Sequence, residues 1–80
     1  MLNVVAVRYV RDYVLWIRFT DGLEGEVDLE SELYGEMFEP LRERAIFAQA
    51  AVDPDLGTVA WPNRVDLAPE FLQERVRIAA

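Results

Sequence analysis

The alternation of apolar and polar residues is clearest between Tyr13 and Leu29. In an extended strand Tyr13, Leu15, Ile17 and Phe19 share one face, and Val14, Trp16, Arg18 and Thr20 share the other. A second run places Leu23, Gly25, Val27 and Leu29 on one face and Glu24, Glu26 and Asp28 on the other. Asp21-Gly22 between two such runs is a strong hairpin signal. Consistency then selects the register. A two-residue loop would set Phe19 opposite Glu24 and Ile17 opposite Glu26, which brings acids onto the apolar face. A three-residue loop of Thr20, Asp21 and Gly22 pairs Phe19 with Leu23, Ile17 with Gly25, Leu15 with Val27 and Tyr13 with Leu29. It also puts Gly22 where the loop needs positive φ. On the other face the same register sets Arg18 opposite Glu24, a small favourable pair.

The flanking stretches complete a small α+β plan. Leu2 to Val10 reads as a strand, joined to the hairpin through Arg11-Asp12 to give a three-stranded antiparallel meander. Its apolar run Val4–Val7 does not choose between Val4/Ala6 and Val5/Val7 for the core. With Trp16 on the outer face, Val5 and Val7 are its expected neighbours. Asp28 is placed to cap a short helical turn with Glu30 and Glu32 in its first turn and Gly35 as its stop. Leu33 and Tyr34 are expected to anchor that turn to the sheet. A second helical piece, Glu36–Arg44, starts near Pro40, with Phe38, Leu41, Ile46 and Phe47 as core anchors. Gln49–Trp61 reads as a second hairpin around Pro54-Asp55-Leu56-Gly57. Trp61-Pro62 ends it and closes the core, Val65–Leu67 adds a short bridge, and Asn63, Arg64 and Asp66 form a turn. Ala68-Pro69-Glu70 opens a C-terminal helix with Phe71, Leu72 and Val76 inward and Gln73, Glu74 and Arg77 in water. Its Ala79-Ala80 end is expected to fray. The whole predicts one α+β domain over residues 1–80, with an antiparallel sheet of about five strands: the three-stranded meander plus the second hairpin.

Composition narrows the function. Eighty residues, 52% hydrophobic, suffice for one core. Without cysteine or an apolar run of spanning length, the expected setting is soluble and cytoplasmic, with no membrane association. The net charge of −7 opposes direct nucleic-acid binding, which needs Lys and Arg on phosphates, and favours a basic partner. All eight basic residues are Arg.

Several stretches in order resemble one family. They are Leu15–Gly22, Val27-Asp28-Leu29, Phe38–Arg42, Phe47, Val52-Asp53-Pro54 with Gly57-Thr58-Val59, and Trp61-Pro62-Asn63 with Asp66–Pro69. The chain is identified by them as a member of the bacterial domain of unknown function 2442 family. The resemblance implies a small antiparallel sheet with short helices. It also implies an interaction protein, because members often occur beside a second small protein in an arrangement like a toxin–antitoxin pair. Some longer members add a helix-turn-helix segment, which this chain is too short to contain. No catalytic residues carry over. Where the family has Asn-Gly after Trp-Pro, this chain has Asn63-Arg64, which argues against positive φ there.

Catalysis is poorly provisioned, since His, Cys and Lys are absent and Ser31 is the only serine. No catalytic role, cofactor or metal is expected. Eight of the fifteen acids lie at positions 24, 26, 28, 30, 32, 36, 39 and 43. Alternate strand residues stand about 6.5–7 Å apart, which is wide for a shared cation. The acids read first as a solvated face and next as a docking face for a basic partner. The candidate interaction residues are Trp16, Arg18, Glu24, Glu26, Asp28, Glu30 and Glu32. The leading expectation is a protein-interaction module, antitoxin-like, for a small basic protein encoded nearby. Self-association through a strand edge is the alternative.

Overall fold

The structure, a computed structural model, describes residues 1–79, with side chains to Arg77. Strands β1 (Val4–Arg11), β2 (Val14–Phe19) and β3 (Glu24–Asp28) form an antiparallel sheet in that order. Two 3-10 turns follow, Glu30–Glu32 and Glu39–Arg42, then helix α1 (Arg44–Phe47). Strands β4 (Ala51–Asp53) and β5 (Thr58–Ala60) form a separate two-stranded sheet, and helix α2 (Pro69–Ala79) ends the described chain. The expected α+β architecture holds, but the strands divide three and two instead of joining in one sheet. The second hairpin docks on β1, partly through a Val4 N–H to Gly57 carbonyl bond of 2.9 Å. The expected frayed end lies at the limit of the description, and Ala80 lies outside it.

The β2–β3 register is the one the pattern requires. Leu15 stands opposite Val27, Ile17 opposite Gly25 and Arg18 opposite Glu24. Phe19 N–H donates to Leu23 O, and Gly22 closes the loop at φ 90° with its N–H on Phe19 O at 3.0 Å. β1 is less regular. Its pairing slips by one residue between Val4 and Ala6 and again between Tyr9 and Arg11, so Val5 and Val10 are bulged out. The first bulge changes the phase. Val4 faces the core opposite Phe19, and beyond the bulge Val7 and Tyr9 face it opposite Ile17 and Leu15. Neither sequence alternative was therefore right for the whole strand. Val5 is half exposed, and Val7 is on the core side, away from Trp16.

The core lies on one side of this sheet. Leu15, Ile17, Phe19, Val27 and Leu29 meet Leu33, Leu41, Phe47, Val59, Trp61, Leu72 and Val76. Tyr34, expected as an anchor, points to solvent because Leu33 alone takes the inward position before Gly35 turns the chain at φ 84°. Trp61 closes the core as expected; its ring is buried and Nε1–H donates to Phe47 O at 2.9 Å. α2 lies against β3 because Gly25 has no side chain. A Cβ there would stand 3.0 Å from Val76 Cγ1. Gln73, expected in water, is half-buried and donates from Nε2 to Asp21 Oδ2 at 2.8 Å. The turn after Trp61 also differs from expectation. Arg64 sits at φ 70°, so the left-handed conformation is kept without the glycine. Trp61 and Val65 share a bond of 3.0 Å across that turn, and Asn63 Oδ1 accepts from Val65 N–H.

Candidate interaction surface

The side of the three-stranded sheet opposite the core carries the chemistry. β2 contributes Val14, Trp16 and Arg18; β3 contributes Glu24, Glu26 and Asp28. β1, after its bulge, adds Ala6 and Arg8 opposite Arg18 and Trp16, and Arg11 opposite Val14. The charged residues of this face are exposed and Trp16 is half-buried, whereas Val14 is buried. Trp16 stands at the centre. The Arg8 guanidinium carbon is 4.6 Å from its ring centroid and that of Arg18 is 5.2 Å, both in cation–π range. Around this trio run two ion pairs, Arg18 Nε to Glu24 Oε2 at 2.7 Å and Arg11 to Glu26 at 3.6 Å. Both are solvent-exposed and contribute little to stability.

Five of the seven sequence candidates meet here: Trp16, Arg18, Glu24, Glu26 and Asp28. Glu30 is exposed on the turn just beyond, where its N–H donates to Asp28 Oδ1 at 3.0 Å. Glu32 does not join them. Its carboxylate turns toward α2 and pairs with Arg75 at 2.9 Å, the least exposed carboxylate among these ion pairs. Arg8 and Arg11 were missed, because their register depends on a bulge that an unbroken apolar run conceals. They also alter the electrostatics. Arg18 and Arg11 pair with Glu24 and Glu26, so the middle of the face is balanced, and among the described residues Asp28 and Glu30 carry acid without an ion-pair partner at the end of β3 and on the turn after it. Among the described residues one titration is clearly displaced. The Leu23 N–H and then the Gln73 amide donate to Asp21, which holds its carboxyl below the usual carboxylate range. No group of three or more acidic side chains among the described residues is arranged to hold a metal ion. No helix among them is long and apolar enough to cross a membrane.

Fold and surface define a class: a small α+β domain with its core on one sheet face and an aromatic, charged face on the other. The family model described as "Protein of unknown function (DUF2442)" matches residues 4–77, and the chain belongs to that family. No curated protein and no solved structure matches the chain.

Proposed function

We propose that this domain is a non-enzymatic protein-interaction module, an antitoxin-like cytoplasmic partner of a small basic protein. The observation that carries the reading is Trp16, with the guanidinium groups of Arg8 and Arg18 in cation–π range of its ring on the solvent side of the sheet. A tryptophan there adds nothing to the core that Trp61 closes. A central tryptophan rimmed by charge has the anatomy of a binding hot spot. The net charge of −7 favours a basic partner and its fast, steered encounter. The absence of His, Cys and Lys leaves few groups for acid–base or nucleophilic chemistry.

Co-purification tests this. The tagged chain is expected to hold one small basic protein at near-equal stoichiometry. Trp16→Ala is expected to weaken that complex at least tenfold, about 1.4 kcal/mol. A partner held equally by wild type and Trp16→Ala contradicts the assignment of this face.

A further inference from the structure

We propose that the open edge of β3 takes an extended segment of the partner as a fourth strand, with Arg or Lys opposite Glu24, Glu26 and Asp28. The inference rests on the interaction-module reading and gives it a mode of binding. The two edges of the sheet are unlike. β1 is bulged at Val5 and Val10 and abuts the second hairpin, two devices that discourage added strands. β3 is regular, has β2 as its only sheet neighbour among the described residues, and carries neither bulge nor proline.

The ladder fixes which backbone groups are free. Phe19 N–H bonds Leu23 O and Leu29 N–H bonds Tyr13 O, so the odd-numbered residues of β3 pair with β2. Glu24, Glu26 and Asp28 occupy the alternate, non-hydrogen-bonded positions, and their N–H and C=O groups point away from the sheet. Among the described residues no backbone bond outside the ladder uses them. An added strand would complete these bonds, the usual mode of strand addition. Its residues opposite Glu24, Glu26 and Asp28 share the outer face with those acids. They repeat every second position, about 6.6–6.8 Å apart. Basic residues there meet carboxylates only partly matched by Arg18 and Arg11. A second copy of this chain is the poorer occupant. Two β3 edges paired across a two-fold axis would set acids directly opposite acids, which is destabilising.

The test uses a capped Arg-Val-Arg-Val-Arg peptide and a proline-interrupted peptide with the same five residues, titrated to roughly 1 mM into the ¹⁵N-labelled full chain. The alternating peptide is expected to slow amide exchange at Glu24, Glu26 and Asp28 at least tenfold, and the proline-interrupted one not to. Glu26→Pro leaves the β2–β3 ladder intact, since that N–H points outward, and is expected to abolish the protection. Glu24→Arg/Glu26→Arg is expected to weaken the arginine peptide at least tenfold and to bind Glu-Val-Glu-Val-Glu instead. That swap keeps the test decisive if Glu26→Pro fails to fold. Shifts at Trp16 and Arg8 without edge protection overturn the β3 assignment and leave the interaction-module reading standing. Absence of binding by any arginine peptide overturns the edge and the preference for a basic partner together. A concentration-dependent dimer protected at the same amides, with no peptide, overturns the proposal in favour of a second copy.

Discussion

Arg18 and Glu24 stand directly opposite each other across the β2–β3 ladder, with Arg18 Nε donating to Glu24 Oε2 at 2.7 Å. They occupy a non-hydrogen-bonded pair, where side chains approach most closely. Both are about half exposed, at 51% and 46%, so water and salt screen the pair. A double-mutant cycle with Arg18→Gln and Glu24→Gln, read by urea unfolding, is expected to give a coupling of about 0.2–1 kcal/mol that shrinks with added salt. A salt-independent coupling well above that range would mean the pair is more enclosed than its exposure indicates.

Arg64 holds φ 70° between Trp61 and Val65, a conformation that costs a side-chain-bearing residue about 1–2 kcal/mol. Arg64→Gly is expected to raise stability by about 1 kcal/mol, with part of the relief returned as unfolded-state entropy. Arg64→Ala keeps the strain and is expected to gain nothing. The urea midpoint reads both, at unchanged slope. Equal gains from Gly and Ala would place the effect in the side chain instead of the backbone.

Gly25 lets α2 close onto β3, and a Cβ there would press Val76 Cγ1 at 3.0 Å. Val76 is buried and cannot yield into solvent. Gly25→Ala is expected to destabilise by about 1–3 kcal/mol. Adding Val76→Ala makes room, so the double variant should lose less than the two single losses summed, as contacting residues do. Strict additivity by thermal or urea unfolding would show that the two positions do not touch.

Asp21 gives the hairpin loop a pH dependence. Leu23 N–H and Gln73 Nε2 donate to the charged carboxylate, so its folded pKa is depressed. A depressed acid adds stability that is fully present above the unfolded value, about 3.9, and is lost as pH falls through the lower folded value. Gln73→Ala is expected to move the Asp21 titration upward, as read by carboxyl NMR. Asp21→Asn should flatten that part of the acid limb of stability. A titration unmoved by Gln73→Ala would break the link between the loop and α2.

The organising hairpin was legible in the sequence because three independent signals agreed there: strict alternation, the Asp-Gly turn and the penalty for acids on the apolar face. β1 was not, because Val4–Val7 is apolar at every position and a bulge costs such a run nothing visible. The loss of β1's register hid Arg8 and Arg11, and with Arg8 one of the two guanidinium groups over the Trp16 ring. Glu32 lies apart from the other candidates for another reason. Its partner Arg75 lies on a helix far along the chain, and charge spacing along a strand and turn says nothing of it. Tyr34 and Gln73 failed in opposite directions, each on a segment too short or too weakly periodic to fix a face. Arg64 shows that local hydrogen bonds within residues 61–65 can hold left-handed backbone without glycine.

The role proposed for the outer face of the three-stranded sheet, with Trp16 at its centre, is to dock a small basic protein. The most direct measurement is purification of the tagged chain from its own cell lysate, in parallel with Trp16→Ala, with mass spectrometry and light scattering on each eluate. A docking face centred on Trp16 gives a single small basic protein at near-equal stoichiometry with wild type and its loss from Trp16→Ala. A homo-oligomer with nothing else bound in both samples would contradict it.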